Sequence, residues 1–339
     1  MQFEEALKLY DLELFDLGAR ADKIRRAYHG DKVFYNRNRH INPTNICVDH
    51  CKFCGFSAHR KNPNPYEMSI AEIAQTAAEA QKRGAKEAHI VGAHNKRLGL
   101  DWYFEAFAAV KKAAPNIHLK AMTAAEVEFL SRTYHLSFDE VLDRMIASGV
   151  DSMPAGGAEI FDEELRREIC DGKVKSADWL AIHELWHKRG RKSNASMLFG
   201  HIETRAHRVD HLLRLRALQE KTGGFNAFIP LLYQTKNNFL EIDKTLDAEE
   251  ILKTIAISRI VLDNVPHIKA YWVGLTLNLA LVAQEFGADD MDGTIERESI
   301  NSAAGAASKE GVSEKLMRDL IANAGFTPIE RDSVYNEIG

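Results

Sequence analysis

Three cysteines stand within eight residues, in the stretch His40-Ile-Asn-Pro-Thr-Asn-Ile-Cys47-Val-Asp-His-Cys51-Lys-Phe-Cys54. Three thiolates at C-x3-C-x2-C spacing can hold three irons of a [4Fe–4S] cube and leave the fourth iron without a protein ligand. The competing reading is structural zinc completed by His40 or His50. Tetrahedral zinc sites bring paired ligand sets, and no second C-x2-C pair exists here. A loop rich in Asn, Asp and His is also a poor place for inert core thiols. Cys170, the one remaining cysteine, would close the open iron if it were a ligand, and reads instead as a helix-end or loop thiol.

An open iron suits S-adenosylmethionine, whose amino and carboxylate groups can chelate it and bring the sulfonium beside the cluster. One electron from the reduced cluster then releases a 5′-deoxyadenosyl radical. The cofactors carry that chemistry, and the protein aims it and excludes water.

Such a loop needs a frame. Short apolar runs alternate with longer amphipathic segments: candidate strands are Arg39–Asn42, Ala88–Gly92, His118–Met122, Asp151–Pro154, Ser193–Phe199, Ala227–Pro230, Ile268–Trp272 and Asp289–Asp292. Helical patterns lie between them at 70–83, 101–113, 138–148, 177–189, 206–221, 248–262 and 275–286. In the first of these Ile70, Ile73, Ala77 and Ala80 share one face. The alternation predicts βαβ units, and eight strands predict a closed (β/α)8 TIM-type barrel rather than a doubly wound sheet. The cysteine loop leaves the first strand, at the active-site end of such a barrel. Residues 1–34 read as an N-terminal helical segment, 35–304 as the barrel, and 305–339 as a C-terminal helix and strand packed on it.

The chain has 339 residues, 45% apolar and 27% charged, with a formal net charge of −5. Acids and bases are interspersed, so nucleic acid is not an expected partner. No apolar run approaches the ~20 residues of a membrane span, and the first thirty residues lack the basic-then-apolar order of a signal peptide. A cytoplasmic location, with no membrane partner, is expected.

Further stretches carry a resemblance. They are His118–Glu126, Pro154-Ala-Gly-Gly-Ala-Glu159, Ser193–Glu203 (SNASMLFGHIE), Thr222–Pro230 (TGGFNAFIP) and Asp289–Thr294 (DDMDGT). With the cysteine loop, in which aromatic Phe53 directly precedes the last cysteine, the sequence resembles the aminofutalosine synthases from about residue 15 to about residue 310. These are radical S-adenosylmethionine enzymes of the futalosine route to menaquinone. The resemblance implies a radical SAM barrel and a [4Fe–4S] cluster on Cys47, Cys51 and Cys54. It also implies S-adenosylmethionine consumed as substrate, with the Phe53 backbone near its adenine. The implied reaction adds the adenosyl radical to the enolpyruvyl double bond of 3-[(1-carboxyvinyl)oxy]benzoate, giving aminofutalosine, methionine and carbon dioxide. An electron donor such as flavodoxin or ferredoxin is a generic expectation. The cyclase acting on dehypoxanthine futalosine, and deazaflavin-cofactor synthase subunits, are rivals within the class; a zinc-stabilised binding module is the rival outside it. Two departures stand out: Gly92-Ala93-His94-Asn95 replaces the usual Gly-Gly-x-His-Pro, and Ala155-Gly156-Gly157 replaces a triple glycine.

Roles follow by residue, each beside a plainer reading. Gly156 and Gly157 leave room for backbone to approach a cofactor. Glu159 could hold the ammonium or ribose of S-adenosylmethionine, or simply start the next helix. Ser193 and Asn194 enter a strand, where they could bind cofactor or make ordinary strand hydrogen bonds. His201 and Glu203, just past that strand, could handle protons or cap a helix. Candidate substrate contacts are His94, Lys120 (if its strand turns it inward), Thr123 and Asp289. Thr123 with Glu126 also spells a capping box. Asp289, Asp290 and Asp292 lack the spacing of a calcium loop and read as last-strand residues near a pocket mouth. Tyr271 and Trp272 read as core or pocket wall.

Overall fold

The structure, a computed structural model, describes residues 1–59, 61–242, 245–295, 299–306 and 311–338. Its strands are β1 (Lys32–Asn36), β2 (Asn38–Ile41), β3 (Glu87–Ile90), β4 (His118–Ala121), β5 (Ser152–Met153), β6 (Lys192–Phe199), β7 (Phe225–Leu232), β8 (His267–Ile268), β9 (Asp290–Gly293) and β10 (Thr327–Glu330). Strands β2 to β8 form one parallel sheet in sequence order. A parallel bridge from Lys269 to Asp290 carries the pairing on to β9, and β9 pairs with β1. Since β1 runs into β2 across the single residue Arg37, the pairings go round the ring, as in the (β/α)8 class expected from the alternation.

Side-chain chemistry sets the helix starts. Ser69, Thr123 and Ser137 each accept the N–H of a Glu three residues on, and that Glu reaches back, satisfying donors that a helix leaves open. Asp162, Thr204, Asp247 and Ser313 also cap helices. The helices Ile70–Lys82, Leu100–Ala113, Phe138–Ala147, Ser176–Lys188, Arg205–Thr222 and Ala248–Val261 fall where the apolar period puts them. Ala124–Tyr134 and Glu163–Cys170 are additional. The expected 275–286 helix is broken into Trp272–Leu275, Leu277–Val282 and a 3-10 turn at Ala283–Phe286. The break sits at Thr276, whose φ of 77° no helix tolerates.

Two strand expectations shift. The run Ile268–Trp272 is a strand only at His267–Ile268, followed by the single bridge at Lys269, and Trp272 opens a helix. Ahead of the cysteine loop, Lys32–Asn36 is a strand that the helical pattern of residues 1–34 conceals. β10 adds in parallel to the N-terminal half of the β1–β2 run, after the helix Glu314–Asn323. It brings Arg331 to Asp290, with Nε 2.5 Å from Oδ2, so the N-terminal end of the barrel is plugged by an ion pair.

The barrel interior is charged below its mouth. In-register pairing sets His40 beside His89 and His89 beside Lys120. Lys120 bonds Glu87 at 2.6 Å and Lys269 bonds Asp292 at 3.0 Å, all four buried. Each charge has its partner, which makes burial tolerable.

Candidate active site

A cavity of about 300 Å³ opens at the C-terminal ends of the strands. All three clustered cysteines line it, and all are free thiols. The loop that carries them is polar because it satisfies itself. Asn42 Nδ2 donates to Val91 O (2.8 Å), Thr44 Oγ1 to Tyr66 O (3.0 Å) and Asn45 Nδ2 to Asn64 O (3.0 Å). Backbone amides also serve the sulfurs: Ser57 N–H reaches Cys54 Sγ at 3.4 Å. Burial pushes the Cys47 thiol up, against backbone hydrogen bonds from His94 and Asp49 that pull it down. Hydrogen bonds to sulfur of this kind tune cluster thiolates.

The donor set fits an iron–sulfur cluster better than a single ion. Zinc held at about 2.3 Å from each sulfur needs its ligands under ~4 Å apart. Among the described residues the one His/Cys/Asp/Glu trio with ligand atoms all within 4.8 Å of each other is His29, His267 and Asp289, not the cysteines. The carboxylate of that trio is already engaged: Arg259 Nη2 lies 2.6 Å from Asp289, and His267 Nδ1 2.5 Å from it.

Facing the cysteines is a clasp of opposite charges. Lys173 Nζ lies 2.6 Å from Glu159 Oε1 and 5.6 Å from the centre of the Phe53 ring. Burial works to raise the Glu159 carboxyl, and the Lys173 ammonium outweighs it and holds it below the usual range. Glu159 has a left-handed φ of 45°, an uncommon conformation for a non-glycine residue and one that clusters at functional sites. Gly156 and Gly157 line the same wall. A Cβ on Gly156 would meet Thr123 Cγ2 at 2.8 Å, and one on Gly157 (φ 94°) would meet the Ala125 Cβ at 2.7 Å. The glycines are thus required by the helix start packed on them, as well as by any ligand.

Of the residues singled out from the sequence, Cys47, Cys51, Cys54, Phe53, His94, Thr123, Gly156, Gly157 and Glu159 meet around this cavity. Thr123 is also the cap of its helix, its Oγ1 2.9 Å from Glu126 Oε2. Six residues lie elsewhere. Ser193 points out to the helix layer, its Oγ 2.8 Å from His183 Nδ1 and 2.7 Å from His187 Nε2. Asn194 is buried in β6 beyond the cavity lining. Lys120 does face inward, but one layer down and committed to Glu87. Asp289 accepts from Arg259, His267 and the Ile268 N–H (2.8 Å) at the far end of the barrel. Glu203 accepts from Gly200 N (2.7 Å), His201 N (2.8 Å) and Arg208 Nε (2.7 Å), and His201 Nε2 sits 3.2 Å from Leu198 O. Both are fixing the turn after β6 rather than facing the cavity. Lys173, Asp49, His89 and Ser196 line the cavity without having been singled out. Lys173 follows a helix with no sequence mark of its destination; His89 and Ser196 alternate along strands whose facing only the register reveals.

A parallel barrel with a three-cysteine loop at its C-terminal mouth and a ligand-sized cavity beside the thiols defines a cluster-dependent barrel enzyme. Residues 41–215 match the Radical SAM superfamily, and residues 222–338 match the CofH/MqnC C-terminal region. The chain is 37% identical to the aminodeoxyfutalosine synthase of Thermus thermophilus, over 100% of this chain and 92% of that one. It is 39% identical to that of Streptomyces coelicolor, over 98% and 89%. The cyclic dehypoxanthine futalosine synthase of Streptomyces coelicolor is 38% identical over 99% of this chain and 85% of its own. The fold matches methylornithine synthase (PylB) with a TM-score of 0.78, at 16% identity over 96% of this chain and 94% of that one. The chain belongs to the radical SAM superfamily, in the group that includes the aminodeoxyfutalosine synthases.

Proposed function

We propose that this chain joins the 5′-deoxyadenosyl group of S-adenosylmethionine to the enolpyruvyl double bond of 3-[(1-carboxyvinyl)oxy]benzoate. Aminofutalosine forms, and methionine and carbon dioxide leave. The observation that carries this reading is end-to-end identity of 37–39% to two aminodeoxyfutalosine synthases, set on a cavity that holds the matching cysteine loop.

Cys47, Cys51 and Cys54 would hold the [4Fe–4S] cluster, which when reduced supplies the electron that splits the S–C5′ bond of S-adenosylmethionine. The chain's own residues bind and orient. Glu159 and Lys173 present a carboxylate and an ammonium side by side, the complement of a zwitterionic methionine group. Phe53 gives that end a flat wall. Val91, Pro154, Ile229, Leu231 and Tyr271 line the rest; these apolar sides suit an aromatic ring and keep water away from a radical. A cavity that holds both molecules would let the enolpyruvyl carbon meet the adenosyl carbon as if intramolecularly. A flavodoxin or ferredoxin in the cytoplasm would be the electron source.

The cyclase reading stands second, supported by 38% identity to a cyclic dehypoxanthine futalosine synthase. The two differ in the fate of the adenosyl carbon, which the synthase builds into its product and the cyclase releases as 5′-deoxyadenosine. The test is an anaerobic incubation of reconstituted protein with dithionite, S-adenosylmethionine and the enolpyruvyl benzoate, read by mass spectrometry. Aminofutalosine with methionine is the expected result. Free 5′-deoxyadenosine with the benzoate untouched refutes the assignment and turns the test to dehypoxanthine futalosine. Zinc at one equivalent in place of iron would end both.

A further inference from the structure

His94, which follows β3, touches the cysteine loop at two points. Its carbonyl accepts the Val48 N–H at 3.0 Å. Its ring Nδ1 stands 2.7 Å from Asp49 Oδ2, in contact but out of line for a hydrogen bond. Val48 and Asp49 lie in the arc between Cys47 and Cys51, so both contacts fall on the part of the loop that sets the separation of two thiols.

The ring itself is held firmly. It stacks on Phe129 with centroids 4.8 Å apart and planes 13° from parallel. Phe129 belongs to the helix Ala124–Tyr134, whose Glu126 takes the Gly92 N–H at 3.1 Å. Helix, turn and imidazole thus form one block against which the loop leans. Asp49 is buried with the His94 ring set against its carboxylate at 2.7 Å. A buried carboxylate stripped of its partner is costly, so loss of the ring should release the arc.

We propose that His94 is a positioning residue for the cysteine loop, acting through Asp49 and Val48 to hold Cys47 and Cys51 at cluster spacing. Residues of this kind around a metal site commonly govern affinity and lability as strongly as the ligands do. The inference rests on the cluster reading and extends it to a residue whose sequence position suggested substrate contact.

The test uses the full chain, reconstituted anaerobically. Iron and sulfide per chain, the electron paramagnetic resonance spectrum of the reduced cluster, and the rate of cluster loss to a ferrous chelator are measured. For His94→Ala and Asp49→Ala, cluster loss is expected to be about tenfold faster than in the unaltered protein, with an altered spectrum. His94→Asn, which can still bond Asp49, is expected to restore most of the difference. The double variant should lose its cluster no faster than either single one, because both cut the same link. Circular dichroism of each variant checks the barrel; should His94→Ala fail to fold, Asp49→Asn carries the comparison. Unaltered cluster loss and spectrum in both single variants overturn the proposal. So does a raised KM for the benzoate with an unperturbed cluster, which would make His94 a substrate contact. Unaltered protein that binds no iron refutes the cluster reading itself, a separate failure.

Discussion

Replacing Glu203 separates a structural carboxylate from a catalytic one. Its side chain is fully buried and accepts three hydrogen bonds: the N–H groups of Gly200 and His201, and Arg208 Nε at 2.7 Å. Arg208 keeps a second anchor in Glu250, 2.7 Å from Nη1. Glu203→Ala strands two buried amides and half of a guanidinium, so the cost belongs with broken buried ion pairs, about 3–5 kcal/mol. Glu203→Gln keeps one oxygen and the shape, and gives up the charge-assisted part of the interaction, about 2 kcal/mol. At roughly 2 °C per kcal/mol for a chain of this size, the melting temperature should fall by about 4 °C for Gln and about twice that for Ala. The assay is thermal denaturation of cluster-loaded protein beside turnover measured well below the transition. Turnover per folded molecule should stay within about twofold, since Glu203 does not reach the cavity. A hundredfold loss of turnover with an unmoved melting temperature would refute the structural assignment.

Other expectations follow from the same interior. Lys120→Met alone leaves Glu87 uncompensated and should cost about 3–5 kcal/mol, whereas Lys120→Met with Glu87→Met should recover most of it; urea titration of the three proteins decides. Cys170 is buried beside the cluster loop and its thiol is pushed up to about 11 by that burial. Cys170→Ser should therefore retain about four irons per chain, while Ser at 47, 51 or 54 should not. Acid should destabilise the helix layer: burial pushes His187 down to about 4 and His211 down to about 3. An unfolded histidine titrates near 6.5, so below that pH the unfolded chain takes up protons that the folded chain refuses. Stability is then full above about pH 6.5 and falls until the folded values are reached, by about 2 kcal/mol per group at pH 5. Denaturation free energies that do not change between pH 7.5 and 5 would contradict this.

What could be read from the sequence, and what could not, divides along a physical line. Spacing along the chain is a local quantity, so the cysteine loop, the capping box at Thr123, and most helix positions were legible from residue types alone. The direction a strand side chain faces is set by register against two neighbours. Lys120, Ser193 and Asp289 therefore read as equally eligible for the cavity, although one faces the barrel core, one the helices and one the far end. His201 and Glu203 lie off the cavity lining for another reason. A turn following a strand needs acceptors for its free amides, and a carboxylate two residues on is the nearest supply. Lys173 shows the converse: it comes from a helix end with no marked spacing and lines the same cavity as the thiols only because the stretch after Cys170 folds back onto Glu159. Cations that neutralise a cluster pocket are drawn from whatever element passes close by, so the pocket's charge balance is a property of the fold and not of any one segment. The family resemblance supplies the chemistry of the loop, and the register decides which side chains can meet it.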